Sequence, residues 1–374
     1  MKGLEDIDDF LLEKTERIIT SLEKFNETGR PVWEAPVFNT QFMNPASGVI
    51  YNSQNSAILS MLGEDKGYTH PLYMTYNQAK AAGLNVIKGS EADYILQSFV
   101  KKRELTKKND KGIIEPLLDA DGKPRFYMQS GEKQTPVFNI KNFQGEIPAR
   151  IVKLINAQEQ LATPEQVKTV LQSLIETMPT PLKRNIQPDG KHNFYIPSED
   201  YINVAPSNLF KSSLHELSTI LHEVSHSYGH SSRKNRESLA KYGDDISYRA
   251  HEELVANLSC QRIINHFGLK LDSVSGKDIN ELFFENHHSY DTGWTMAGLK
   301  ANPESVWLAT RQADQTSSSI IQLLTDDLKL KLERNPTLAV PEIVSATLQA
   351  KKENQESYEQ KQTEKPTTKK KYKR

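Results

Sequence analysis

The sequence predicts an α+β protein, with a small mixed α+β domain followed by a mainly helical domain that contains a small sheet. Up to about residue 150, short apolar segments alternate with turn residues such as Asn44-Pro45 and Asp121-Gly122, which is typical of short strands and helices. Beyond that point, apolar residues recur at spacings of three and four over longer stretches, as in amphipathic helices. We therefore predict domains over residues 1–150 and 151–335 and a tail over 336–374.

Several elements of the first domain can be predicted individually. An amphipathic helix over 4–25 places six apolar residues on one side: Ile7, Phe10, Leu11, Ile18, Ile19 and Leu22. A short helix over 76–82 is expected to end at Gly83, a residue that commonly follows a helix. Residues 86–100 and 125–140 are expected to form strands.

The second domain is expected to contain helices around a small sheet. One helix starts at the capping sequence Thr163-Pro-Glu-Gln166, and its apolar face is Val167, Val170, Leu171, Leu174 and Ile175. Residues 194–197 and 200–206 predict two strands joined by a turn. Further helices are expected over 279–284 and 303–324.

An H-E-x-x-H motif is formed by His222, Glu223 and His226. Positions four apart share one face of a helix, so both imidazoles can bind one metal ion, and Glu223 can reach its bound water. This spacing suits Zn2+ and makes Glu223 the candidate catalytic base. The competing interpretation is a surface helix that carries these residues by chance, a rare coincidence with ten histidines in 374 residues.

The residues around the motif predict the helix that carries it. Ser213 and Glu216 have the spacing of a capping box, and Gly229 is a suitable stop. Away from the histidines, apolar residues recur at spacings of three and four: Leu214, Leu217, Leu221, Val224 and Tyr228. One face is therefore expected to pack on a core while the other faces a cleft.

A catalytic zinc takes three protein ligands and keeps a fourth position for water, so a third ligand should follow the motif. Glu253 is the best candidate, because a carboxylate among buried positions is costly unless it is paired or binds a cation. The buried helical stripe that contains it is Ala250, Asn257, Cys260, Ile264 and Phe267. Asn257, one turn on, is expected to orient a ligand histidine from the second shell.

Other assignments of these residues stay open. Glu252, expected to point elsewhere, could form a solvated acidic helix start together with Glu253. His251 and His230 are substitute ligands, although each is better explained as a local polar contact. Those two histidines and Tyr242 are also candidates for stabilising an oxyanion.

A basic segment of the first domain has the ingredients of a single-strand-binding surface. Between residues 101 and 111 there are six basic and two acidic side chains. Basic side chains that follow phosphates, together with aromatic rings on which bases stack, bind single strands with little sequence preference. The alternative is a solvated hairpin tip. The candidate DNA-binding residues are Tyr73, Tyr76, Lys88, Tyr94, Phe99, Lys101, Lys102 and Arg103.

Overall composition indicates a protein of the cell interior. The 47 basic and 48 acidic residues nearly cancel, so net charge carries no information about a nucleic-acid partner. Cys260 has no second cysteine to pair with, the start MKGLEDIDDF is unlike a signal peptide, and no apolar run is long enough to span a membrane. The Lys-, Glu- and Gln-rich sequence beyond about residue 341 favours disorder. We expect a cytoplasmic location.

Two groups of motifs resemble the ArdC-type antirestriction proteins of plasmids and other mobile elements. The resemblance covers most of residues 30–325. The N-terminal group is Asn44-x-x-Ser47-Gly48-x-x-Tyr51-x-x-x-Asn55, Thr75-x-x-Gln78, Gly83, Val86 and Lys88-Gly89. The C-terminal group is Tyr195-x-Pro197-x-x-Asp200, the H-E-x-x-H with Gly229-His230, Arg233, Arg236, Glu252-Glu253-Leu-Val-Ala, Tyr290-x-x-x-Trp294 and the helix over 309–323. Ser227, Tyr228 and Asn257 depart from the family pattern, and the basic segment is insertion-like.

The resemblance implies an N-terminal domain that binds single-stranded DNA and a zincin-like metallopeptidase domain that acts on a protein or peptide. It implies protection of incoming DNA from restriction. An alternative is a regulatory zinc protease that uses its N-terminal domain only to find its target. A third hypothesis, a binding protein with a structural zinc, does not explain Glu223, because a structural site needs no general base.

Overall fold

The computed structural model describes residues 7–28, 35–108, 112, 114–149, 151–153, 156, 161–184, 193–269 and 288–346. Within these ranges the α-helices are α1 Ile7–Asn26, α2 Pro36–Asn39, α3 Ser53–Asp65, α4 Tyr76–Ala81, α5 Pro164–Thr177, α6 Ser213–Ser227, α7 Glu237–Ala240, α8 Ile246–His266, α9 His288–Ala301 and α10 Ser305–Arg334. The strands are β1 Met43–Asn44, β2 Val49–Ile50, β3 Tyr73–Met74, β4 Asn85–Val86, β5 Asp93–Glu104, β6 Thr106–Lys108, β7 Ile114–Pro116, β8 Phe126–Asn139, β9 Phe143–Gln144, β10 Leu182–Arg184, β11 Phe194–Ile196 and β12 Tyr201–Val204.

A long antiparallel hairpin dominates the strands of the N-terminal half. Strand β5 pairs with β8 from Asp93 opposite Val137 to Glu104 opposite Phe126, and β3 pairs with the end of β8. The predicted strand over 86–100 is in fact two strands, because the chain turns between them at Gly89, whose φ is 90°. The predicted strand over 125–140 is confirmed as β8.

The two halves of the chain share a hydrophobic core. In this core, α1 and α3 pack against α8, α9 and α10. The Trp307 indole nitrogen of α10 donates a 2.6 Å hydrogen bond to the Thr15 hydroxyl of α1. The buried members include Phe10, Ile18, Leu22, Ile58, Leu254, Leu258, Val306 and Trp307. Separating residues 1–150 from the rest would therefore expose apolar surface.

A second core holds the helices and sheet of the C-terminal half. Helix α5 begins at the capping box between Thr163 and Gln166, as predicted. Strands β10 and β11 flank β12, parallel and antiparallel to it respectively. Helices α5, α6, α8 and α10 pack beside this sheet, with side chains such as Val170, Leu174, Ile202, Leu217, Ile263 and Ile320 between them.

The sequence was less informative near the C-terminus. Helix α9 was not predicted, and α10 continues to Arg334 rather than ending at 324. Residues 336–346, which the sequence assigned to the tail, lie on the second core, where Val340, Ile343 and Val344 are buried. The helix predicted over 279–284 and the chain after 346 lie outside the described residues.

A polar cluster joins α3 to the C-terminal helices. The Asp314 carboxylate of α10 accepts hydrogen bonds from the Ser53 backbone N–H and hydroxyl at the start of α3. It also pairs with the Arg262 guanidinium of α8 at 2.8 Å, and both charged side chains are mostly buried. Arg262 in turn donates to the Ser53 hydroxyl. One carboxylate therefore satisfies a helix start and a buried cation.

Asp314→Ala is expected to lower the free energy of unfolding by about 3 kcal/mol, because it removes the acceptor of the Ser53 backbone N–H and leaves the Arg262 charge buried without its partner. Chemical denaturation of the full chain measures this change. Asp326→Ala, at an exposed position of the same helix, is the matched control and should shift the value by less than about 0.5 kcal/mol. Equal effects of both changes would contradict the proposed role of the cluster.

Candidate metal centre

Helix α6 forms where the sequence predicts it, but its N-terminal cap differs. The Ser212 hydroxyl, not that of Ser213, accepts the His215 backbone N–H. Glu216 does not close a capping box, because its carboxylate instead accepts hydrogen bonds from Arg184 and the Ser207 hydroxyl. The predicted apolar stripe is confirmed, since Leu214, Leu217, Leu221, Val224 and Tyr228 are all in the second core. This packing fixes the opposite face of α6 toward a cleft.

His222, His226 and Glu253 converge in that cleft. All three side chains are buried, and one ligand atom from each lies within 4.8 Å of the others. The two histidine Nε2 atoms are 3.1 Å apart, and each lies 3.3 to 3.6 Å from a Glu253 carboxylate oxygen. Ligand atoms about 2.0–2.1 Å from a tetrahedral zinc are about 3.4 Å from one another. The three donors therefore fit such an ion.

The other ring nitrogen of each histidine has its own partner. The Nδ1 atom of His222 lies 3.0 Å from the Asn257 side-chain oxygen, which is the contact expected for Asn257. The Nδ1 atom of His226 lies 3.1 Å from Glu252 Oε1. Such partners fix the ring orientation and direct Nε2 toward the common point. The structure thus brings together three candidate ligands and the groups that would orient them.

The environment of Glu252 differs from the one that the sequence predicted. Its side chain is fully buried, so the idea of a solvated helix start is excluded. Arg236 Nε donates to it at 2.9 Å and the Ser238 hydroxyl at 2.6 Å. Arg236 also donates to the Thr316 hydroxyl and the Ser225 carbonyl, so it links α6, α8 and α10. The buried ion pair with Arg236 therefore holds the Glu252 carboxylate against His226.

The charges of the cluster depend on one another. Burial lowers the pKa of His226, but the Glu253 and Glu252 carboxylates outweigh burial and raise this pKa to about 10. Burial also opposes ionisation of Glu253, but His226 and His222 hold its pKa well below its usual value. A proton on His226 competes with a metal for the ring. Metal affinity should therefore fall as the pH is lowered.

Glu223 lies beside the triad and is also buried. Burial raises the pKa of its carboxyl, while His222, His226 and a hydrogen bond from the Tyr195 backbone N–H act in the opposite direction. Tyr195 belongs to β11, an edge strand of the small sheet. The candidate base is thus held between the metal-ligand cluster and a strand edge.

The cleft has a volume of about 260 Å³ and contains polar and apolar groups. The Tyr242 hydroxyl donates to Glu253 Oε1, which places one of the three oxyanion candidates next to the triad. The other two make contacts elsewhere, His230 with Ser232 and His251 with Gln312. The lining residues are Asn193, Phe194, Tyr195, Pro197, His222, Glu223, His226, Leu239, Tyr242, Arg249 and Glu253.

The candidate DNA-binding residues do not form one surface. Tyr73 is fully buried in the N-terminal core, so its assignment to base stacking is wrong. Tyr76 is exposed at the first residue of α4, and Lys88 is exposed in the turn between β4 and β5. Tyr94 is exposed near the start of β5. The remaining four lie farther along that strand.

The β5–β8 hairpin distributes its charged and aromatic residues over two faces. Side chains alternate along a strand, so Phe99, Lys101 and Arg103 share one face with Tyr127, while Tyr94 and Lys102 share the other with Phe126 and Met128. Lys101 Nζ lies 5.2 Å from the Phe99 ring centroid, and Lys102 Nζ lies 4.1 Å from that of Phe126. Phe126 and Tyr127, both about half exposed, were not predicted, because only the register of the hairpin brings them beside the cations of β5.

Comparison with known proteins agrees with this architecture. Residues 8–125 match the family model for the N-terminal domain of anti-restriction factor ArdC, and residues 174–312 match that of the zincin-like metallopeptidases termed MPTase-PolyVal. The chain therefore joins an ArdC-type N-terminal domain to a zincin-like metallopeptidase domain. The resemblance drawn from the motifs and the α+β fold class are both confirmed.

Two solved structures are similar to this chain over most of its length. Antirestriction protein ArdC from plasmid R388, solved in metal-free and Mn(II)-bound forms, superposes with TM-scores of 0.56 and 0.54. Each is 22% identical and covers 84% of this chain and 97% of that one. At this identity the likeness establishes the fold.

Among curated proteins, two Escherichia coli proteins named DNA primase TraC are 27% and 28% identical, each covering 82% of this chain. The chain spans only 26% and 19% of their lengths. An uncharacterized Sinorhizobium fredii protein, y4eC, is 21% identical over 80% of this chain and 88% of its own. Among the described residues, no helix has the length and apolar character needed to cross a membrane.

Proposed function

We propose that this protein is an antirestriction factor of a mobile element, active in the cytoplasm, which binds single-stranded DNA and hydrolyses a peptide bond with the help of Zn2+. The observation that carries the enzymatic part is the convergence of His222, His226 and Glu253 beside Glu223 in an open cleft. The ArdC-type N-terminal domain and the fold shared with the R388 protein support the antirestriction role.

Two imidazoles and one carboxylate favour zinc over manganese, which prefers a more oxygen-rich set of ligands. His222 and His226 would bind through Nε2 and Glu253 through its carboxylate. When bound, the ion supplies Lewis acidity that polarises a scissile carbonyl and makes water more acidic. Asn257 and Glu252 keep the two rings in place, and Tyr242 keeps Glu253 in place by its hydrogen bond.

In this proposal the protein itself supplies the proton acceptor and a strand edge that binds the substrate. Glu223 takes a proton from the attacking water and passes it to the leaving amine. Its raised pKa strengthens it as a base, and the Tyr195 N–H keeps its carboxylate beside the cleft. The edge strand β11 offers backbone groups with which an extended peptide can pair by strand addition.

For DNA, the geometry supports the β5–β8 hairpin as the contact surface. Both of its faces are solvent-exposed beyond the first few pairs, and both carry cations beside aromatic rings. A single strand is anionic and presents bases that stack on aromatic rings, so its chemistry complements this surface. Lys107 and Lys108 of β6 extend the basic surface toward the hairpin tip. The binding site is therefore proposed at Phe99, Lys101, Lys102, Arg103, Phe126 and Tyr127.

Replacing Lys101, Lys102 and Arg103 together by glutamine is expected to weaken single-strand binding about 100-fold at 0.1 M salt. Each lost phosphate contact should reduce the slope of log affinity against log salt by about 0.7. Fluorescence anisotropy with a labelled 20-nucleotide strand measures both quantities on the full chain, with duplex DNA as competitor. The control removes three exposed cations of the C-terminal half, Lys168, Arg311 and Lys329. Equal losses in the two triple variants would reject the hairpin site.

A plasmid-transfer assay into a restricting recipient tests the biological role. If the protein protects DNA by coating the entering strand, protection should survive Glu223→Gln and be lost in the hairpin triple variant. The opposite result would mean that proteolysis of a host or element protein is the relevant activity. The regulatory-protease hypothesis would then replace the present one.

A further inference from the structure

We propose that Arg249 makes the cleft selective for a substrate carboxylate, either an acidic side chain or a free C-terminus, within two residues of the scissile bond. This inference rests on the proposed peptidase function and adds a specificity determinant to it. Both kinds of substrate present a carboxylate, and inhibitor pairs can distinguish an acidic side chain from a free C-terminus.

The position of Arg249 in the cleft carries the argument. Arg249 lines the same cleft as the triad and Glu223. It lies four residues before Glu253 on α8, a rise of about 6 Å along the same helix face. An extended peptide covers that distance in about two residues. A group of the substrate that reaches Arg249 is therefore near the reacting bond.

A neighbouring ring supports the guanidinium in that position. The Arg249 guanidinium carbon lies 5.4 Å from the centroid of the Tyr242 ring. The same tyrosine donates its hydroxyl to Glu253 and packs edge-on against His226, with centroids 6.2 Å apart. Tyr242 thus lies between Arg249 and the metal ligands. A planar guanidinium supported on a ring presents its N–H groups for two-point recognition of a carboxylate.

The charge of the cleft points the same way. A divalent cation at the triad would be balanced by the Glu253 and Glu223 carboxylates, and Arg249 adds a guanidinium to the same lining. Arg249 also stands in the first turn of α8, where the helix dipole disfavours a cation. The helix dipole therefore does not favour an arginine at this position.

Binding of hydroxamate inhibitors tests the proposal without requiring turnover. Two series of short peptides carry a metal-binding hydroxamate and extend to either side of the metal. Each series contains a pair that differs only in having Glu or Gln within two residues of the hydroxamate. Further pairs differ only in a free or amidated C-terminus. With the zinc-loaded full chain, calorimetry is expected to show about tenfold tighter binding of the carboxylate member in one pair. Which pair shows it identifies the source of the carboxylate.

The variants decide whether Arg249 is responsible. Arg249→Gln should abolish the preference and Arg249→Glu should reverse it, whereas Arg249→Lys should keep part of it. Lys241→Gln, which removes a cation outside the cleft lining, should leave the preference unchanged. Equal affinities within every pair for the parent protein, or an unchanged preference in Arg249→Gln, would overturn the inference. A carboxylate preference without cleavage of any peptide would uphold Arg249 and reject the peptidase function instead.

Discussion

Replacing Glu223 by glutamine is expected to lower peptide hydrolysis by about 10²- to 10⁴-fold while the metal content stays unchanged. The amide keeps the size of the side chain and can remain beside the Tyr195 N–H, but it cannot accept a proton from water at neutral pH. Because burial raises the pKa of the Glu223 carboxyl, activity of the parent protein should fall as the pH drops below that raised value and the base becomes protonated. Mass spectrometry of a proteome-derived peptide mixture gives the cleavage rate, and elemental analysis gives the metal content.

Glu237→Gln provides the matched control for this prediction. Glu237 is a glutamate of the short helix α7, is exposed to solvent and does not line the cleft. It should therefore retain parental turnover. Hydrolysis by Glu223→Gln at the parental rate would remove Glu223 from the mechanism. Loss of metal from the same variant would show that the glutamate acts chiefly on the ligands.

The sequence revealed those parts of the site that depend on local spacing. His222 and His226 are four residues apart, so the helical repeat alone places them together. Glu253 was found because a carboxylate in a buried stripe requires a partner. Glu252 was misplaced because its partner, Arg236, comes from another part of the chain and nothing in the local pattern records that contact. Helical periodicity assigns faces, but it does not show which of two adjacent glutamates a distant arginine will reach.

The same limit applies to the N-terminal half. The strand alternation of β5 is visible in the sequence, yet the aromatic residues that β8 contributes depend on the register of the hairpin. Tyr73 has an aromatic ring on which a base could stack. However, β3 pairs with β8 beneath α3, and the Tyr73 ring is enclosed by Phe42 and Tyr68. The shared core was also invisible, because α1 and α10 are almost 300 residues apart where Thr15 meets Trp307.

The two adjacent glutamates of α8 should respond very differently to substitution. Glu253→Ala removes a donor from the triad and is expected to weaken zinc binding by about two to three orders of magnitude, the share of one ligand in a typical site. Glu252→Gln keeps the triad and changes the hydrogen-bond partner of His226, so zinc affinity should fall by about 10- to 100-fold. Competition with a chromophoric chelator measures both affinities, and repeating it with manganese tests the preference for zinc.

Glu252→Gln should in addition destabilise the fold, by about 3 kcal/mol or more, because the buried Arg236 loses its ion pair. Glu253→Ala should destabilise the metal-free protein less, since His226 keeps the Glu252 carboxylate as a partner and can release its proton, whereas Arg236 stays charged. Denaturation in the presence of a chelator separates this effect from metal binding. If Glu252→Gln lost the metal and Glu253→Ala retained it, Glu252 would be the third ligand. The pairing of His226 with Glu252 would then have to rearrange when a metal binds.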